Sequence, residues 1–217
     1  MSTHPFNRTE LLIGPEGLAI LAQSRVVICG LGGVGSYAAE ALARAGIGSL
    51  VLVDHDIISA TNINRQIHAL TTTVGQPKVQ VMAHRLRKIN PRLNLTLWQE
   101  FFTAKEAEFI FASPVDYVVD AIDTVSAKVD LILTARQREL PIVSCMGMGN
   151  KLDPTCLQVT DISKTHTCPL AKAVRRLLRQ AGVSQGVKVV FSTEQPLRVH
   201  GGTPGSISYV PPVAGFF

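Results

Sequence analysis

The chain has little that would staple, anchor or export it. It has four cysteines, Cys29, Cys145, Cys156 and Cys168, and no two of them form a Cys-x-x-Cys pair. That excludes a zinc knuckle and a redox dithiol, and it predicts a reduced, cytoplasmic chain. Residues 1–8 lack the apolar core of a signal peptide, and no run of about 18 apolar residues occurs, so the chain as given contains no membrane segment. Internal repeats and low-complexity tracts are absent too. With 217 residues that are 46% hydrophobic and 17% charged, 17 glycines and 12 prolines, the composition is that of a packed globular protein. A formal charge of +5, from 21 Lys and Arg against 16 Asp and Glu, mildly favours a polyanionic partner.

Short β-branched runs alternate with amphipathic stretches from Arg25 to Cys145. This pattern predicts an α/β fold, a doubly wound and mostly parallel Rossmann-like sheet. The expected strands are Val26–Cys29, Leu50–Asp54, Leu93–Trp98, Asp116–Asp120 and Pro141–Cys145. The expected helices are Gly35–Ala45, Lys78–Ile89 and Ser126–Arg138, with Gly46 and Pro91 placed to end the first two. Beyond Asn150 the chain turns polar around a basic helix, Pro169–Ala181. This is read as one domain over residues 1–217, with a core of about 20–150 and a C-terminal extension of about 151–217. The stretch from Gly205 to Phe217 reads as a strand and a turn.

The first strand runs into Gly30-Leu-Gly32-Gly33-Val-Gly35, a Gly-x-Gly-x-x-Gly pattern that opens a helix where a phosphate-binding turn requires it. Alone this is weak evidence, but Asp54 stands at a strand end 19 residues after Gly35, where a ribose hydroxyl is bound. A nicotinamide dehydrogenase shares that fingerprint. Arg65 and Lys78 separate the two readings: a pair of cations converging on a triphosphate serves displacement at phosphorus, which hydride transfer does not need. The run Asp116-Tyr-Val-Val-Asp120-Ala-Ile-Asp123 brings Asp123 to a strand's C-terminal end, as a ligand for Mg2+ on phosphate oxygens or as an N-cap of the next helix. For Asp120, a structural and a functional role stand equal.

These elements together, Gly30-x-Gly-Gly-x-Gly35, Asp54-x-Asp56, Asn62-x-x-Arg65-Gln66, Gly75-Gln-Pro-Lys78 and Asp120-x-x-Asp123, resemble the ThiF, MoeB and HesA family of ubiquitin-activating-like enzymes over roughly Arg8 to Gly149. Residues 8–14, 61–70, 146–154 and 161–170 look like its tRNA threonylcarbamoyladenosine dehydratase branch. The resemblance implies ATP and Mg2+ as cofactors, tRNA as substrate, and adenylation of a threonylcarbamoyl carboxylate followed by ring closure with net loss of water. It implies that Gly30, Gly32, Gly33, Gly35, Asp54, Asp56 and Gln66 bind the nucleotide, and that Asn62, Arg65 and Lys78 act on phosphates. Asp123 serves the metal, and Arg8 reaches into a partner subunit's site in a homodimer. It also allows a cysteine desulfurase and its sulfur acceptor as partners. It further implies a longer chain, because the family continues past the segment matching Val210–Gly215 with a hydrophobic helix that could associate with a membrane. The competing readings are an adenylyltransferase for a small sulfur-carrier protein and a non-catalytic nucleotide-binding scaffold.

The missing cysteine pairs weigh against the carrier-protein reading. Cys168, before a proline at a helix start, is either a reactive thiol or, as is commoner for a spare cysteine in a polar loop, a passive one, whereas Cys29, Cys145 and Cys156 read as core. His55, His68 and His84 lack ligand-like spacing. Lys172, Arg175, Arg176 and Arg179 recur at helical spacing and form a candidate tRNA-binding face, with Lys164, Lys188 and Arg198 adding charge nearby.

Overall fold

The computed structural model describes residues 4–198 and Val210. In chain order its elements are α1 (Asn7–Gln23), β1 (Arg25–Cys29), α2 (Gly35–Ala45), β2 (Ser49–Val53), α3 (Lys78–Ile89), β3 (Asn94–Trp98), α4 (Ala104–Ile110), β4 (Tyr117–Asp120), α5 (Val125–Gln137), β5 (Ile142–Cys145), β6 (Leu157–Asp161), α6 (Pro169–Gln180) and β7 (Lys188–Ser192). The strands form one sheet in the order β3-β2-β1-β4-β5-β7-β6, parallel except for β6, which runs antiparallel to β7 at the edge. The strand and turn expected over Gly205–Phe217 lie outside the described residues, Val210 excepted.

The alternation within each strand decides which helices cover which face. Ile28, Leu50 and Leu52 point to one side, where they pack with Ala39 and Ala43 of α2 and Val79, Met82 and Leu86 of α3. Val27, Val51 and Val118 point to the other, against Leu131 and Ile132 of α5 and Ala171, Val174 and Leu178 of α6. Both faces are thus buried, and each such side chain contributes about 1.5–3 kcal/mol relative to exposure. Gly46 ends α2 in the left-handed region at φ +97°.

The sequence order reverses between β1 and β4, with β2 and β3 on one side and β4 and β5 on the other. A doubly wound sheet opens a crevice at the carboxyl ends of its strands at such a switch point. Each of the five strands predicted between Arg25 and Cys145 is present, shifted by a residue at most at either end. The patterning did not predict α1, α4, β6 or β7. No residue of α1 is buried, and the helix is kinked at Gly14 (φ +77°) ahead of Pro15, so it has no core-facing stripe to detect. Strand β6 exposes Gln158 and Val159 at the sheet edge.

Two cysteine readings need correction. Cys156 sits half-buried in a short 3-10 turn, its Sγ 3.3 Å from Asp153 Oδ2, and is not core. Cys168 is not in a polar loop: it is buried at the N-cap of α6, where its Sγ accepts the Ala171 N–H at 3.5 Å. Three per cent exposure leaves no path for a substrate to reach it as a nucleophile. No helix among the described residues is long and apolar enough to cross a membrane.

Candidate active site

The glycine loop leaves β1 at the switch point. Gly30 has φ +90°, and a Cβ there would stand 2.7 Å from the Ala121 carbonyl oxygen of the β4–α5 turn. A Cβ on Gly35 would stand 1.8 Å from the Gly30 oxygen, so α2 can start only if that position is glycine. Gly32 differs: among the described residues nothing lies within 4 Å of where its Cβ would be, because it faces the open cleft. Gly33 lies beneath Val210, which brings one residue of the C-terminal stretch to the cleft wall. The first amides of α2 have no side-chain cap and form the donor-rich end that suits a phosphate.

Asp54 follows β2 directly and is buried. Its Oδ2 accepts the Leu31 N–H at 2.6 Å and its Oδ1 the Asp56 N–H at 2.8 Å, which locks the carboxylate against the glycine loop. Asp56 in turn holds Lys78, whose buried Nζ is 2.7 Å from Asp56 Oδ2 and 3.9 Å from Asp54 Oδ2. Asp54, His55 and Asp56 could together offer ligand atoms to a cation, but Lys78 already supplies the positive charge at that spot.

Residues 57–77 cross from β2 to α3 and supply the far wall. Ser59 caps a 3-10 turn in which Asn62 Oδ1 accepts the Ser59 N–H at 3.0 Å, which fixes the Asn62 amide at the cleft wall. Arg65 donates from Nη1 to the Thr61 carbonyl at 2.8 Å and to Asn64 Oδ1 at 3.0 Å. Burial pushes its guanidinium below the ordinary arginine value, and the Asp123 charge acts against that. Gln66 is buried in the cleft wall and its Oε1 has no partner among the described residues. His68 is 1% exposed, and neither ring nitrogen has a partner among the described residues. Burial first, then the charges of Lys78 and Arg85, lower its pKa to about 4.

Asp123 lies on the β4 side of the cleft with its carboxylate exposed. It is not the N-cap of α5, a position held by Thr124, which makes no side-chain cap hydrogen bond. Asp120, three residues earlier, belongs to the core. Its Oδ2 is 2.8 Å from Lys128 Nζ and accepts the Ser144 hydroxyl at 2.5 Å, and its Oδ1 accepts the Ile122 N–H at 3.0 Å. Lys128 also donates to the Cys145 carbonyl at 2.8 Å. Asp120 and Lys128 are both fully buried, and the pair ties together the two strand ends that form the cleft floor.

One cleft therefore gathers Gly30, Gly32, Gly33, Asp54, Asp56, Asn62, Arg65, Gln66, Lys78 and Asp123. Gly35 supports it from beneath, and Arg8 is exposed on α1. The walls are completed by Met146 and Met148 after β5 and Leu170 in α6, which fall within the branch-like segments 146–154 and 161–170, and by Phe101 and Phe102 after β3, which no motif singled out. Phe101 and Phe102 follow a predicted strand, and in this fold class that position alone points to the crevice.

Of the proposed tRNA face, Lys172, Arg176 and Arg179 are exposed on α6, but Arg175 turns inward. Its Nη1 donates to the Thr165 carbonyl at 2.8 Å and to the Thr165 hydroxyl. Lys188 is also apart from that face, lining a separate cleft with Tyr117, Arg136 and Glu139.

A model of the ThiF family matches residues 6–216. The chain is similar to a tRNA threonylcarbamoyladenosine dehydratase of Bacillus subtilis, 46% identical over 98% of this chain and 90% of the relative. It is similar to the solved structure of an Escherichia coli tRNA N6-threonylcarbamoyladenosine dehydratase in complex with ATP, with a TM-score of 0.90, 41% identity, and coverage of 98% of this chain and 89% of that one. A molybdopterin-synthase adenylyltransferase of Escherichia coli is 37% identical over only 64% of this chain and 56% of its own length.

Proposed function

The chain belongs to the ThiF family, and from that premise we propose that it uses ATP to dehydrate and cyclise threonylcarbamoyladenosine in tRNA. The observation that carries this reading is the cleft itself. Two cations from the β2–α3 connection and its end, Arg65 and Lys78, and a carboxylate from the β4–α5 turn, Asp123, meet at the mouth of one glycine loop.

A carboxylate is a poor electrophile because its oxygen leaves badly. Adenylation replaces that oxygen: the threonyl carboxylate attacks the α-phosphorus, the bond to the β-phosphate oxygen breaks, and pyrophosphate departs. An internal nucleophile of the same side chain then displaces AMP, closes the ring and gives up its proton. ATP becomes AMP and pyrophosphate, and the nucleoside has lost one water. The first step brings two anions together, and Arg65 and Lys78 would lower that repulsion by several kcal/mol. Asp54, locked by two amides, would accept from the ribose hydroxyls, and Gln66 would use its unpartnered oxygen to accept from the nucleoside. Gly32 would let the phosphates approach the backbone.

Asp123 presents an exposed carboxylate on the cleft wall, the donor type that Mg2+ takes together with phosphate oxygens and water. Held there, Mg2+ would neutralise charge on those oxygens. On α1, Leu11, Leu12, Ile13 and Ile20 are 41% to 86% exposed, and no residue of the helix is buried. Such a surface favours a partner, which supports a homodimer in which Arg8 reaches the other subunit's cleft. ATP, tRNA and four free thiols suit a cytoplasmic reaction.

The test is ATP–pyrophosphate exchange. Exchange driven by tRNA carrying threonylcarbamoyladenosine is expected. Exchange driven only by a small carrier protein ending in Gly-Gly would replace this reading with the adenylyltransferase one.

A further inference from the structure

The cleft accounts for the nucleotide but not for how a large RNA is held beside it. Helix α6 carries no acidic residue, and its buried side, Ala171, Val174 and Leu178, fixes it rigidly against the core. Its outer side carries Lys172, Arg176 and Arg179 at i, i+4 and i+7, bordering a shallow groove with Pro169, Ala173, Gln180 and the half-buried Arg175, whose guanidinium is tied to Thr165. Among the described residues none of the three is in an ion pair, unlike Arg44, Arg85 and Arg138. An exposed cationic face is by itself only a solvated one. What gives this face direction is its origin, because Leu170, two residues before Lys172, lines the nucleotide cleft.

On the proposed reading, which this inference rests on, the reacting nucleotide enters that cleft, and the backbone flanking it must leave along the adjoining surface. We infer that Lys172, Arg176 and Arg179 form a phosphate track for the RNA strand next to the modified nucleotide. The seven helical steps from Lys172 to Arg179 rise about 10 Å, and a nucleic-acid duplex carries about one charge per 1.7 Å of axis, so three cations over that span meet several phosphates. Lys164, exposed in the 3-10 turn packed on α6, lies at the same end of the helix. Arg175 is a positioning residue. Its clamp on Thr165 holds the loop that leads, through the left-handed Thr167 (φ +62°), to the first turn of α6 and thus to Leu170 in the cleft wall.

The test compares wild type with the triple variant Lys172→Gln/Arg176→Gln/Arg179→Gln, measuring tRNA affinity across a salt series and ATP affinity in parallel. Each phosphate contact contributes roughly 0.7–0.9 to the slope of log affinity against log salt. The triple variant should therefore lose about 2–3 of that slope and roughly tenfold or more in tRNA affinity, with ATP affinity unchanged. Arg175→Gln should leave the slope in place and raise the KM for ATP. An unchanged slope in the triple variant overturns the track. So does unchanged tRNA binding with lost binding of an acidic protein, which would make α6 a protein-docking face. If wild type dehydrates tRNA while the triple variant binds it equally well, the track fails and the proposed function stands. If wild type neither binds nor modifies tRNA, both fail.

Discussion

Lys78 Nζ lies 2.7 Å from a carboxylate oxygen of Asp56 and 3.9 Å from one of Asp54. The lysine is buried, while the Asp56 side chain is 49% exposed. The cation is therefore held at the cleft by an acid that water can resolvate when phosphate replaces it. Lys78→Met should fold, because Asp56 can return to water. Its kcat for pyrophosphate release should fall roughly a hundred- to a thousandfold, the scale for one transition-state donor, with a smaller change in ATP affinity. A loss confined to ATP affinity would make Lys78 a ground-state binding residue.

Two glycines of the same loop should fail in different ways. Gly35→Ala puts a methyl group into the Gly30 carbonyl and should prevent stable folding, seen as lost thermal cooperativity. Gly32→Ala meets nothing within 4 Å among the described residues, so Tm should hold while ATP affinity drops.

The two acids at the end of β4 and just beyond it, Asp120 and Asp123, should separate in the same manner. Lys128→Met strands Asp120 as an uncompensated buried charge, a change that costs about 3–5 kcal/mol of stability. Asp123→Asn touches an exposed carboxylate and should leave Tm unchanged while turnover collapses. Equal effects on Tm would refute the division of labour.

His68 makes stability depend on pH. Its folded pKa of about 4 lies below the usual 6.5 because burial disfavours the cation, aided by the charges of Lys78 and Arg85. Between these values the unfolded chain binds a proton that the native state does not, so stability rises with pH across the window and is lost as pH falls from about 6.5 towards 4. The full difference is about 3 kcal/mol. Neither ring nitrogen has a partner among the described residues, so His68→Phe breaks no hydrogen bond there. The variant should have a flatter urea midpoint between pH 7 and pH 5 than wild type, and an identical slope would show that His68 does not carry the effect.

The central fold was legible because its signals are local. The alternation of Val26 to Cys29, the glycine loop and the 3.6-residue spacing of Val79, Met82 and Leu86 each state a secondary structure and a buried face. Helix α1 was not legible, because Leu11, Leu12 and Ile20 face away from the core and their pattern answers to some other surface. In the site, ordered motifs pointed to Asp54, Arg65, Lys78 and Asp123. They could not tell that Arg175 turns inward, because its neighbour Thr165 is ten residues away and the spacing of four cations looks the same whichever of them is tied down. Asp120 was ambiguous for a similar reason: its partner Lys128 comes from α5 and Ser144 from β5, so the buried pair exists only after three elements have packed.

The most direct test supplies the protein with ATP, Mg2+ and tRNA bearing threonylcarbamoyladenosine, digests the RNA, and follows that nucleoside by mass spectrometry. The account predicts conversion to a product lighter by one water, dependent on ATP and abolished by Lys78→Met. An unchanged nucleoside mass in the presence of an ATP-binding, folded protein would contradict it.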